Sequence, residues 1–157
     1  YLEGLKAGRS FVTNGPLLRL RVEDHEPGDV LKTSAGSALN WQLDVASSVP
    51  FEKVELLVNG EVVWTGEGLK AAGNQTYRGS GVAPPGGWIA ARVHGGTTQW
   101  PAMDSYPFAH TAPVWIGSVG SIEPASARQA ATDLLAALDV AEQERASQRN
   151  DPKARPP

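Results

Sequence analysis

Apolar and polar residues alternate in short blocks along most of this chain, which predicts strands rather than helices. Leu18, Leu20 and Val22 alternate with Arg19 and Arg21, and Leu39, Trp41, Leu43 and Val45 alternate with Asn40, Gln42 and Asp44. A period of two is what a strand with one buried and one wet face requires. Val54 to Val58, Asn59-Gly60 and Glu61 to Thr65 predict a β-hairpin, because Asn and Gly accept the positive φ angles of a type I′ turn, whose twist matches that of the strands. A two-residue loop sets Leu57 opposite Val62 and Glu55 opposite Trp64 on one face, with Val54, Leu56, Val58 and Val63 on the other. Both faces of the hairpin are then largely apolar, so something is expected to cover the outer one.

Residues 66–87 are rich in Gly and Pro and read as an irregular connection with one short strand near Tyr77. Alternation resumes from Trp88 to His94, with Ile89, Ala91 and Val93 on one face and Trp88, Ala90, Arg92 and His94 on the other. A last strand is expected from Ala109 to Ile116, where Pro113 lacks a ladder donor and implies an edge position or a bulge. Helical patterning occurs only at the two ends. Leu2 and Leu5 fit a final helical turn that stops at Gly8, and Ala127, Ala131, Leu134, Leu135 and Leu138 recur at helical spacing from Pro124 to about Ala146. The resulting expectation is a mainly β fold, an immunoglobulin-like β-sandwich of about seven strands, with a C-terminal α-helix and a short N-terminal helical stub. In domain terms, residues 1–10 read as the end of a preceding domain and a linker, 11–120 as the sandwich, 121–147 as a helix packed on it, and 148–157 as a disordered polar tail.

Composition narrows the function classes. The 157 residues include 17 Gly and 12 Pro but 3 Phe and 3 Tyr, so five Trp carry much of the aromatic mass. A net charge of −3 without a basic block leaves no electrostatic footprint for nucleic acid. No apolar run approaches the ~20 residues of a membrane-spanning helix. The absence of cysteine removes disulfides, thiolate metal sites and cysteine nucleophiles together, and leaves the compartment open.

Candidate chemistry is sparse. Asp24-His25-Glu26 reads as a solvated turn, since adjacent turn side chains diverge and a tight metal site needs three or four convergent donors. Gly79-Ser80-Gly81 and Gly117-Ser118 lack the strand–turn–helix elbow that exposes a nucleophilic serine. Glu52, Glu55, Glu61 and Glu67 surround the hairpin, where charges ordinarily solubilise. Arg92 and His94 share one strand face and, with His110, form the possible polar site. Trp41 is core by its alternation. Trp100, in a loop, and Trp64 are the candidates for a sugar-stacking platform, although a loop Trp that plugs the end of a sandwich is the commoner case. Thr13-Asn14-Gly15-Pro16 forms a rigid turn, because Pro fixes φ and Thr and Asn bond nearby backbone.

The segment Gly8-Arg9-Ser10-Phe11-Val12-Thr13-Asn14-Gly15-Pro16 resembles the joint of CehA/McbA-type metallohydrolases of the PHP superfamily, where a catalytic domain passes into a β-rich accessory domain. Phe108-Ala109-His110-Thr111-Ala112-Pro113-Val114-Trp115 is similar to that family's final strand. The resemblance implies that this chain is an excised accessory piece. Its implied partner is an N-terminal catalytic domain of the same polypeptide, which would hold a divalent metal on closely spaced histidines, while no cofactor is implied for the piece itself. Thr13, Asn14, Gly15, Pro16, Leu57, Val62 and Trp64 are the expected docking residues, and Asn14→Ala is expected to spare the fold of the isolated chain. Two other readings stay open: a carbohydrate-binding sandwich module, and an autonomous hydrolase with a site near His94 and His110 that also draws on Arg92 and Asp104.

Overall fold

A computed structural model describes residues 2–98, 100 and 105–150, with the side chains of 148–150 excepted. The elements in order are α1 (Leu2–Lys6), β1 (Phe11–Thr13), β2 (Leu17–Val22), β3 (Val30–Leu31), β4 (Ala38–Ser47), β5 (Lys53–Val58), β6 (Glu61–Glu67), β7 (Gly73–Val82), β8 (Gly87–His94), β9 (Phe108–Thr111), β10 (Val114–Ile116) and α2 (Pro124–Asn150). Ten strands replace the expected seven because three of them, β1, β3 and β10, span only two or three residues.

The strands form two sheets whose inner faces meet in one core, a mainly β sandwich. The smaller sheet has the order β2-β4-β7, and in the larger one β5 joins β6 to β8, while β8 continues through β9 to β1 and through β10 to β3. All pairs are antiparallel except β3 with β10. The chain thus leaves the small sheet after β2 and crosses at β3 to run parallel to β10 in the larger one. Leu18, Leu20, Val22, Trp41, Leu43 and Val45 from one sheet pack against Val54, Leu56, Ile89, Ala91, Val93, Val114 and Ile116 from the other. Those from the smaller sheet are the residues that the alternation placed inward, and Ile89, Ala91 and Val93 share one face as it expected.

Three expectations are corrected. First, β7 is a ten-residue strand paired with β4 along its whole length, where only a short strand near Tyr77 was expected. Its inward positions hide the alternation because Gly79, opposite Trp41, supplies space instead of an apolar side chain. A Cβ there would lie 2.3 Å from Trp41 Cζ2. Second, the hairpin turn forms as expected, with φ of 53° at Asn59 and 92° at Gly60, but the strands do not stay in simple register. Leu57 opposes Val62, while Leu56, and not Glu55, opposes Trp64. A β-bulge at Val63 inserts one extra residue, which turns every later side chain of β6 to the other face. Trp64 therefore points inward. Third, the single last strand expected from Ala109 to Ile116 is broken at Ala112-Pro113 into β9 and β10; neither half is an edge, since β1 and β3 lie outside them, but the register against β8 shifts by one residue across the break, which is the bulge that Pro113 implied. At the break Thr111 Oγ1 accepts the Ala91 N–H at 3.0 Å, which satisfies a buried donor that the interrupted ladder would strand.

The C-terminal helix α2 forms a compact unit separate from Tyr1–Glu123. Gln129 donates to Asp133 one turn on, and the Thr132 hydroxyl donates to the Arg128 carbonyl. Leu134, Leu135 and Leu138 are exposed. The helix runs to Asn150, three residues past the expected limit, and the rest of the expected tail lies outside the described residues.

Candidate functional site

The outer face of the larger sheet is the part of the sandwich whose burial the core does not explain. Leu57 and Ala90 are 4% and 1% exposed yet belong to no part of the inter-sheet core cluster. They are neighbours in the β5–β8 register, and Val62 lies beyond Leu57 on β6. One row away, Trp88 of β8 faces Trp115 of β10, with Val30 of β3 next to it. This end of the face is apolar.

The next row in the other direction is polar, running from Thr65 through Glu55, Arg92 and His110 to Val12. The Glu55 side chain is 8% exposed and accepts a 2.5 Å hydrogen bond from Arg92 Nε, while His94 Nε2 lies 3.1 Å from the same Oε2. That imidazole nitrogen is buried and is not aligned for a directed hydrogen bond, so the contact is one of proximity and gains from charge when the ring is protonated. Burial by itself would raise the Glu55 carboxyl, but the Arg92 bond, the His94 contact and their charges together hold its pKa below the ordinary value. Glu55 is thus a buried carboxylate kept ionised by its neighbours. It escaped the sequence reading, which counted it among solubilising charges. The available signal was its position inside the apolar run Val54-Glu55-Leu56-Leu57-Val58, because a charge in the middle of a central strand needs a cross-strand partner.

Of the expected polar trio, Arg92 and His94 converge on Glu55, and His110 sits beside Arg92 in register. His110 Nδ1 is 2.7 Å from the Thr111 carbonyl oxygen. A carbonyl only accepts, so Nδ1 carries the proton and donates. Its ring also stacks on Phe108 with centroids 6.5 Å apart. Asp104, invoked for an autonomous hydrolase, lies outside the described residues. Among the described residues no three His, Asp or Glu side chains are placed to hold a metal ion, and no helix is long and apolar enough to cross a membrane.

The expected docking residues separate into two groups. Leu57 and Val62 are on the outer face, but Trp64 is withdrawn from it by the bulge. Trp64 packs on Trp41 with centroids 4.7 Å apart and on Tyr77 at 5.5 Å, edge to face, so it belongs to the interior and offers no sugar platform. Trp100 is 78% exposed and does not plug the sandwich.

Thr13 to Pro16 form an internally bonded corner. Thr13 Oγ1 donates to the Pro16 carbonyl and accepts the Gly15 N–H, and Pro16 is fully buried. Asn14 reaches much further than the neighbouring turn. Its Nδ2 donates to the Tyr106 carbonyl at 2.9 Å, its Oδ1 accepts the Phe108 N–H at 2.7 Å, and its own N–H donates to the Phe108 carbonyl. The side-chain amide adds one more rung to the β1–β9 ladder. Asn14 is therefore structural, and Asn14→Ala is expected to weaken the isolated fold while keeping it.

Fold and face together define a mainly β sandwich with a mixed apolar and ion-paired outer sheet surface. No protein-family model matches the chain, and no curated protein is a significant match to it.

Proposed function

We propose that this chain is a non-catalytic accessory domain of a PHP-superfamily metal-dependent hydrolase, docked on the catalytic domain of the same polypeptide through the outer face of its larger sheet. The observation that supports the docking surface is the apolar end of that face, where Val62 is exposed and Trp88 and Trp115 stay partly exposed, beside the Glu55–Arg92 pair. An apolar patch with a charged, hydrogen-bonded margin is the usual anatomy of an interface between domains. The resemblance of the Gly8 to Pro16 segment to a domain joint supports the same reading. That joint is tied to the sandwich by the β1–β9 ladder and the Asn14 amide, so it would hand the catalytic domain a fixed orientation. The described residues do not fit a metal site, and the divalent ion implied for the parent would be held by the catalytic domain.

The reading has two tests. The coding sequence upstream of Tyr1 is expected to encode a domain with closely spaced His-x-His ligands, and its absence overturns the proposal. In the two-domain protein, amides of residues 55–62 and 88–92 are expected to exchange more slowly than in the isolated chain. Val62→Glu, at an exposed position, is expected to remove that extra protection without altering the fold. Equal exchange with and without the catalytic domain refutes docking through this face.

A further inference from the structure

A different surface, independent of the docking face, is the free edge of β7. Among the described residues this strand pairs with β4 alone, so for ten residues its second set of backbone N–H and C=O groups has no ladder partner among them. Natural edge strands are ordinarily short, bulged, charged or proline-bearing, because an open edge recruits another strand. The other edges of this sandwich follow that rule. β6 carries the bulge at Val63 and a glutamate at each end, β2 carries Arg19 and Arg21 and follows Pro16, and β1 and β3 are three and two residues long. β7, Gly-Asn-Gln-Thr-Tyr-Arg-Gly-Ser-Gly-Val, has no proline, no recorded bulge and one charge, Arg78.

We propose that β7 is a homodimerisation edge, pairing antiparallel with β7 of a second copy about a two-fold axis at Tyr77. The strand is complementary to itself in this register. Tyr77 meets Tyr77, Thr76 meets Arg78 and Asn74 meets Ser80, while Gln75 meets Gly79 and Gly73 meets Gly81. Even-numbered residues meet even-numbered ones, so the outer faces of the two sheets remain continuous. Moving the axis by one residue to Arg78 sets two arginines directly opposite, which is unfavourable. Tyr77 is fixed for this role, since its hydroxyl donates to the Glu67 carbonyl at 2.6 Å and its ring rests on Trp64. The product is a six-stranded sheet with the order β2-β4-β7-β7-β4-β2, closed by an isologous two-fold contact. Strand addition of this kind draws its affinity mainly from backbone hydrogen bonds.

Sedimentation equilibrium of the 157-residue chain tests the proposal. The apparent mass is expected to rise with concentration from 16.6 kDa toward twice that value, reaching it by about millimolar chain. Asn74→Lys with Ser80→Lys sets two lysine pairs opposite one another in the dimer, as Asn74→Glu with Ser80→Glu does for glutamates. Each double variant is expected to weaken association at least about tenfold, and mixing the two is expected to restore a mass near the dimer through Lys–Glu pairs. All four substitutions replace exposed residues, and thermal melts are expected to match the parent chain at low concentration. A second readout covers variants that fold poorly: in the parent chain, exchange protection of amides within residues 73–82 is expected to fall on dilution. A chain that stays monomeric at about millimolar concentration, a dimer indifferent to both double variants, or exchange in β7 that does not change with concentration each overturns the proposal.

Discussion

Removing Arg92 is expected to destabilise the sandwich more than removing its ion-pair partner together with it. In the folded chain the Glu55 carboxylate is 8% exposed and depends on Arg92 Nε at 2.5 Å, with His94 Nε2 3.1 Å away. Arg92→Leu strands that carboxylate. Breaking a buried pair costs about 3 to 5 kcal/mol, and the lower end applies here because the Arg92 side chain is 35% exposed and partly screened. Glu55→Leu leaves the guanidinium able to reach water and is expected to cost about 1 to 2 kcal/mol. The double variant replaces both partners by apolar groups and is expected to lie within about 1 kcal/mol of the parent, a coupling of roughly 4 kcal/mol. Acid behaviour supplies an independent sign. The folded pKa of Glu55 lies below its ordinary value of 4.5, so the unfolded chain takes up the proton first. Its stabilisation is fully present above about pH 4.5 and is lost as pH falls through the folded value. Urea unfolding from about pH 7 down to about pH 3 should therefore show a shallower acid slope in the double variant. Asp44, also held low once Thr76, Gln42 and nearby arginines overcome its burial, leaves a residual slope of the same sign. Additive single variants, or an unchanged acid slope, would refute the assignment of Glu55 as a buried, compensated carboxylate.

Other predictions follow from close packing and from side chains bonded to backbone. Gly79→Ala places a Cβ 2.3 Å from the buried Trp41 ring and is expected to cost about 1 to 3 kcal/mol of overpacking, whereas Gly81→Ala in the same strand meets open space and should lower the melting temperature far less. Asn14→Ala loses two side-chain bonds to residues 106 and 108 and is expected to cost about 1 to 2 kcal/mol in chemical unfolding; an unchanged midpoint would show that the amide adds nothing to the ladder. Gly87→Ala combines a φ of 93° with a Cβ 1.8 Å from Asn59 Oδ1, so it is expected to be the most damaging of these glycine substitutions, measured by melting temperature and by loss of near-ultraviolet signal from Trp88.

The inward residues of β2, β4 and β8 were legible because each strand alternates by itself, and burial against the opposite sheet needs no more than that. What was not legible depended on pairs distant in sequence. β7 carries glycine where its pattern would need an apolar residue, and the missing volume is supplied by Trp41 from the neighbouring strand. The β6 bulge leaves no mark in Val62-Val63-Trp64, since Val and Trp suit either face of a strand. Its consequence is large: a tryptophan assigned to the surface joins Trp41 and Tyr77 in the interior. Glu55 was visible as a residue, but its role is set by Arg92 and His94, 37 and 39 positions away.

The two Asn-Gly dipeptides show how far a local motif can be trusted. Asn59-Gly60 has positive φ at both residues and turns the hairpin as its sequence predicts. At Asn14-Gly15 neither residue has positive φ, and the chain makes a corner secured by the Thr13 hydroxyl instead. The side chains nevertheless act alike. Asn59 accepts the Trp88 N–H and donates to the Gly86 carbonyl, just as Asn14 accepts from Phe108 and donates to Tyr106. Each amide imitates a peptide group and extends a ladder by one rung, one beside the start of β8 and the other beyond its end. The same dipeptide therefore takes the positive-φ turn in one case and not in the other. The physical constant is the planar donor–acceptor pair of the Asn side chain, which is what a strand end with an unmatched N–H and C=O requires. Within the Gly8 to Pro16 segment, Asn14 thus fastens the corner to the sheet.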